Sequence, residues 1–168
     1  AYQDTLEKIN SRKAHVGVIG LGYVGLPLVS AFIAGGFRVT GFDVDRSKIE
    51  KLQARESYIE HIKRSSIEAM FSSGRLNVTD SFTPISQVDV IVICVPTPLT
   101  AEREPDLGPV LNTGETIAPY IRADQLIVLE SSTYPGTTDE ELARALSSSG
   151  LKSDDDYFLA YSPEREDP

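Results

Sequence analysis

The run His15-Val16-Gly17-Val18-Ile19-Gly20, continued by Leu21-Gly22-Tyr23-Val24-Gly25, restricts the possible folds more than any other part of the chain. Its first half, apolar and rich in β-branched residues, reads as a buried strand. Residues 23–34 are apolar almost throughout and stop at Gly35-Gly36, as a buried helix does. Between strand and helix, Gly20, Gly22 and Gly25 form the pattern G-x-G-x-x-G. Its first glycine makes the tight turn, its second lets backbone approach a pyrophosphate, and its third packs helix on strand. A second strand over residues 37–43, anchored by Val39 and Phe42, completes a βαβ unit. The helix start turns N–H groups and the positive end of its dipole toward an anion.

Asp43 ends that second strand eighteen residues after Gly25. An acid there accepts hydrogen bonds from the adenosine ribose of NAD, and its charge repels the 2′-phosphate of NADP. The other reading of Asp43 is a cap on the helix that begins near Ser47, and Asp45 is a neighbouring carboxylate able to take either role. Lys48 is a cation near the same end. The candidate cofactor residues are therefore Gly20, Gly22, Tyr23, Val24, Gly25, Asp43 and Lys48.

Further along, residues 47–55 and 65–73 read as helices through Ile49 and Leu52, then Ile67, Met70 and Phe71, and residues 76–79 as a short strand. The run Val88–Val95 is β-branched almost throughout, as a central strand buried on both faces must be, and Pro96 ends it. A proline-containing loop over 97–109 precedes a helix at 110–120, a strand at 125–131, a helix at 137–148 and a strand at 157–161. Strands alternating with helices imply an α/β domain of the Rossmann type, a doubly wound parallel sheet with helices on both faces. Tyr2, Leu6 and Ile9 fall at helical spacing, so residues 1–13 read as an N-terminal helix or arm ahead of a domain over 14–168.

With 168 residues, 40% of them hydrophobic and 24% charged, the chain is of a size and composition to pack one core. Sixteen Lys and Arg against twenty-five Asp and Glu leave a net charge of −9, which argues against nucleic acid or an acidic membrane as partner. The single cysteine, Cys94, forms no intramolecular disulfide, and within the strand Val88–Val95 it reads as a small core hydrophobe. No His/Cys cluster offers a metal site. The first thirteen residues lack the apolar stretch of an export signal, and the longest apolar run is too short to span a bilayer. A cytoplasmic, reducing location is the expectation.

With Val95-Pro96-Thr97-Pro98, Ser131-Ser132-Thr133-Tyr134-Pro135-Gly136-Thr137 and Ser162-Pro163-Glu164 at the ends of successive strands, the sequence resembles the UDP-glucose/GDP-mannose dehydrogenase family from about Val16 to Pro168. The resemblance implies NAD as cofactor and a UDP-sugar as substrate. Members oxidise the C6 alcohol of a nucleotide sugar to a carboxylate with two NAD, through a cysteine-bound thiohemiacetal and thioester, without releasing the aldehyde. It also implies a cofactor domain, a central helical dimerisation region and a domain for the substrate nucleotide. Only the first is matched, so the chain reads as cut after Pro168. The catalytic cysteine, lysine and asparagine are then expected beyond it, the fragment as inactive alone, and the complete protein as a homodimer or higher oligomer.

Carried over residue by residue, Thr133 corresponds to the threonine that holds a catalytic water and touches the nicotinamide, its other reading being a helix cap. Glu164 corresponds to the glutamate that assists thioester hydrolysis, the alternative being a solvated carboxylate. Pro96 and Thr97 are expected along the cofactor cleft, although proline ends a strand in any case. Arg165 is placed to meet a substrate phosphate or carboxylate, or equally to form a surface ion pair. Glu130 ahead of Ser131, the loop Ser57-Tyr58-Ile59-Glu60-His61-Ile62 and the terminal Glu164-Arg165-Glu166-Asp167-Pro168 resemble the branch acting on UDP-N-acetylhexosamines, above all UDP-N-acetylglucosamine, for polysaccharide biosynthesis. His61 reads as a solvated loop residue.

Overall fold

The computed structural model describes residues 2–96, 100–103, 106–131, 137–151 and 156–163. In chain order the elements are α1 (Tyr2–Asn10), β1 (His15–Ile19), α2 (Gly25–Ala34), β2 (Arg38–Phe42), α3 (Arg46–Gln53), α4 (Arg64–Ser72) and β3 (Leu76–Thr79). They continue with β4 (Val90–Ile93), α5 (Gly108–Ile117), β5 (Leu126–Ser131), α6 (Thr137–Leu146) and β6 (Phe158–Pro163). The six strands form one parallel sheet in the order β3-β2-β1-β4-β5-β6. The direction of winding reverses between β1 and β4, which opens a crevice beyond their carboxyl ends.

Side chains alternate across each strand, and so divide the core into two layers. Val16, Val18, Val39, Val90 and Val92 face α2, α3 and α4, with Leu26, Val29, Leu52 and Ile67 packed against them. Ile19, Phe42, Ile91, Ile93, Ile127 and Leu129 face α5 and α6 on the other side. This two-sided burial is why the strands are apolar at consecutive positions.

The expected strand Val88–Val95 is shorter at both ends. Val88 follows a 3-10 turn at Thr83–Gln87, and pairing stops at Ile19↔Ile93 because β1 turns away at Gly20. A last main-chain bond runs from Cys94 N–H to Ile19 C=O at 2.8 Å. Cys94 thus lies one residue past the strand and is half-buried, which corrects its assignment to the interior of a buried strand. The helix expected to reach Tyr120 becomes 3-10 after Ile117, since Pro119 has no N–H to donate.

Residues 2–10 take the helical alternative. Thr5 Oγ1 donates to the Asp124 carbonyl at 2.8 Å, and Ile9 packs on the first core layer. At this amino-terminal edge of the sheet Asp89 gathers three donors: His15 N–H at 2.9 Å, Lys8 Nζ at 3.2 Å and Arg122 Nη2 at 3.0 Å. Beside it the fully buried Gln125 donates to the carbonyls of Ile85 and Val88 and accepts from Arg122 N–H.

Burial alone would raise the Asp89 carboxyl, but the His15 amide and the Lys8 and Arg122 cations outweigh it and hold the group below the ordinary carboxylate value. Its contribution to stability is therefore present above the unfolded value, near pH 4, and is lost as pH falls through the lower folded value. Asp89→Asn is expected to cost about 1–2 kcal/mol at pH 7, tempered by the solvent that reaches Lys8. Urea unfolding of both proteins should show the difference steady above about pH 5 and shrinking as pH falls below about 4.

Candidate functional site: the crevice at the sheet reversal

At the end of β1 the chain turns sharply at Gly20, whose φ is +93°, and whose N–H donates to the Phe42 carbonyl at 2.8 Å. A Cβ here would sit 2.8 Å from the Cys94 carbonyl oxygen, so the turn crosses the end of β4 at backbone contact distance. At Gly25 a Cβ would fall 1.6 Å from the Gly20 carbonyl oxygen: the first turn of α2 rests directly on the loop that precedes it. A Cβ on Gly22 would meet nothing within 4 Å. The middle glycine therefore leaves its backbone bare toward the crevice, where a close-fitting anion would lie.

Asp43, only 7% exposed, is tied into this turn. Its Oδ2 accepts from Leu21 N–H at 2.8 Å and its Oδ1 from Asp45 N–H at 2.9 Å, with Lys48 Nζ 4.0 Å from Oδ2. Asp45 Oδ1 accepts from Ser47 N–H at 2.9 Å and is the N-cap of α3. The two carboxylates thus divide the roles the sequence left open. A carboxylate has about four acceptor positions, and the two amides on Asp43 leave capacity for ribose hydroxyls.

The crevice encloses a cavity of about 900 Å³, in the upper part of the roughly 300–1,000 Å³ range of small-molecule sites. Gly20, Gly22, Tyr23 and Val24 form one wall, Asp43, Val44 and Lys48 one end, and Cys94, Val95 and Pro96 the floor at β4. Phe82 and a face of α5 carrying Pro109, Asn112, Thr113 and Thr116 close the far side, with Glu130 at the end of β5. Tyr23 and Val44, 68% and 81% exposed, are the large hydrophobic residues left uncovered among the described residues, and both line this cavity. Exposed apolar surface concentrated at a cleft marks a place for a ligand.

Gly25 is not on the cavity wall and acts by packing. Thr97, Thr133, Glu164 and Arg165 lie outside the described residues. Cys94 packs against the first core layer, as its sequence context implied, and also reaches the cavity lining. Phe82 and the α5 face were missed. Asn112, Thr113 and Thr116, polar beside Val110 and Ile117, were a helical signal open to reading, whereas Phe82 comes to the site through its stack on Phe42, 5.7 Å between ring centres. His61 is exposed, its ring 6.1 Å from that of Tyr23. Among the described residues no three His, Cys, Asp or Glu are grouped to hold a metal, and no helix is long and apolar enough to cross a membrane.

A glycine turn under a helix start, an acid at the end of the neighbouring strand and an open crevice at the sheet reversal define a Rossmann-type dinucleotide-binding domain. Residues 14–168 match the UDP-glucose/GDP-mannose dehydrogenase family, NAD binding domain, and the chain belongs to that family, with NAD as cofactor. It is 37% identical over 156 residues to the UDP-N-acetyl-D-glucosamine 6-dehydrogenase of Pseudomonas aeruginosa, covering 91% of this chain and 36% of that protein. Against the UDP-N-acetyl-D-mannosamine dehydrogenase of Pyrococcus horikoshii it is 35% identical over 153 residues, covering 89% of this chain and 36% of that protein. A ternary-complex crystal structure of GDP-mannose dehydrogenase from Pseudomonas aeruginosa superposes with a TM-score of 0.83 at 29% identity, over 89% of this chain and 36% of that one. The chain spans just over a third of the length of the curated relatives it matches.

The two glycines make opposite demands. Gly25→Ala should lose stability at or beyond the upper end of the about 1–3 kcal/mol typical of overpacking, because backbone cannot yield as a side chain can. Gly22→Ala should fold within about 0.5 kcal/mol of the parent, yet bind NADH about tenfold more weakly. Thermal melts and calorimetric titration of the two variants check both expectations.

Proposed function

We propose that this chain is the cofactor domain, residues 14–168 behind an N-terminal helical segment, of an NAD-dependent UDP-sugar 6-dehydrogenase whose substrate is a UDP-N-acetylhexosamine, with UDP-N-acetylglucosamine preferred. The observation that carries the reading is the Asp43 carboxylate, held by two backbone amides at the end of the cavity in a chain of this family. NAD, when bound, accepts the hydride. The turn at Gly20–Gly25 holds the pyrophosphate, Asp43 and Lys48 the adenosine ribose end, and Pro96 and Thr97 border the path to the nicotinamide. Four electrons leave the C6 alcohol as two hydrides, and water supplies the second carboxylate oxygen. Thr133 positions that water near the nicotinamide, Glu164 acts as its general base in thioester hydrolysis, and Arg165 meets the substrate's charged part. Cys94, half-buried and packed against the first core layer, is not read as the nucleophilic cysteine of this chemistry.

The sugar preference is supported by the segment from Glu130 to Gly136, the loop at residues 57–62 and the likeness to the Pseudomonas UDP-N-acetyl-D-glucosamine 6-dehydrogenase. The near-equal identity to UDP-N-acetyl-D-mannosamine dehydrogenases favours the mannosamine epimer as the second reading. The same reading has the complete protein as a homodimer or higher oligomer working in the cytoplasm, a reducing compartment with which a lone cysteine accords.

The test is NADH formed per sugar consumed by the complete protein over UDP-glucose and the UDP-N-acetyl derivatives of glucosamine, galactosamine and mannosamine. Two NADH per sugar with UDP-N-acetylglucosamine preferred is expected. Preference for another sugar moves the substrate assignment, one NADH makes the protein a simple alcohol dehydrogenase, and none makes it a binding module.

A further inference from the structure

The glycine turn is held from a second side, by a residue that the motif does not include. Leu21, fully buried between Gly20 and Gly22, has its N–H bonded to Asp43, while its carbonyl accepts from the phenol of Tyr58. Both peptide groups flanking Leu21 are therefore pinned by side chains, one from the end of β2 and one from the loop after α3. That loop is itself anchored: Ile59 is 3% exposed in the first core layer, and Ser57 Oγ donates to the Ile59 carbonyl at 2.8 Å. The Tyr58 ring also lies under Lys48, whose Nζ is 5.8 Å from the ring centre.

The peptide between Leu21 and Gly22 is trans, as is every described peptide bond. In a trans peptide the N–H points opposite to the C=O. Drawing the Leu21 carbonyl toward Tyr58 therefore sends the Gly22 N–H the other way. Gly22 lines the main cavity, which Tyr58 does not, and also borders a smaller hollow of about 250 Å³ lined by Tyr58 and Lys51. We propose that Tyr58 is a positioning residue for the pyrophosphate of the cofactor: its hydroxyl, bonded to the Leu21 carbonyl, sets the direction of the Gly22 amide that meets the anion. Burial first, and then the carboxylates of Asp43 and Asp45, raise the phenol well above its ordinary value, so it stays a donor throughout the working pH range. The proposal rests on NAD occupying the crevice, and it gives the 57–62 loop a role in cofactor affinity.

Tyr58→Phe removes only the hydroxyl and leaves the ring against Lys48 and the core. NADH, ADP-ribose and adenosine are titrated into the 168-residue chain and the variant, the first two by calorimetry and adenosine by ligand-observed NMR. NADH and ADP-ribose, which carry the pyrophosphate, are expected to bind about 3- to 10-fold more weakly to the variant, with adenosine affinity unchanged and the melting temperature lower by no more than the few degrees that one lost hydrogen bond costs. Unchanged NADH affinity overturns the proposal. An equal loss for adenosine overturns it too, because a loosened loop would weaken every ligand alike. A parent chain that binds none of the three removes the NAD assignment and this proposal with it.

Discussion

The carboxylate of Asp43 accepts from the main-chain N–H of Leu21 at 2.8 Å, and this bond fastens the glycine turn to the end of the adjacent strand. Everything at the carboxyl edge of the sheet depends on it. With Gly20 in a left-handed conformation against the end of β4 and Gly25 seated on the Gly20 carbonyl, the turn has little freedom of its own. The bond to Asp43 joins that rigid loop to the carboxylate at the end of the cavity. On the proposed reading, phosphate and ribose recognition are then built as one unit, since moving either group would move the other. The charge has its own compensation in two amides and the nearby Lys48, which lets a carboxylate persist at 7% exposure.

The two edges of the sheet divide the work. At the amino-terminal edge Asp89, Arg122 and Gln125 satisfy one another and the ends of several loops, and α1 is fastened there through Thr5 and Lys8. Those groups are spent on structure. At the opposite edge the glycine turn, the exposed Tyr23 and Val44 and the polar face of α5 surround an open volume. Stability drawn from one edge allows the other to leave apolar surface uncovered for a ligand.

Much of this arrangement is legible in the sequence because its signals are local. The strand, turn and helix around Gly20–Gly25, the acid at residue 43 and the β-branched run ending at Pro96 are each set by spacing or by consecutive apolar positions, and these determine the α/β order and the sheet reversal. What escaped depends on neighbours distant in the chain. Asp43 and Asp45 are equivalent by position, and only the N–H of Leu21, over twenty residues earlier, separates them. Cys94 packs on the core as its apolar neighbours imply, but its second contact, with the cavity, arises because β1 turns away before it. Phe82 and the hydroxyl of Tyr58 arrive by tertiary packing that no periodicity encodes.

The measurement that bears most directly on the central claim is the affinity of this chain for NADH against NADPH, repeated with Asp43→Asn, which keeps an acceptor for Leu21 while removing the charge. The account requires NADH to bind at least about tenfold more tightly than NADPH, since a buried carboxylate and a 2′-phosphate repel at close range, and requires that gap to narrow in the variant. Equal affinities for the two cofactors in the parent chain, or a gap untouched by the substitution, would contradict it.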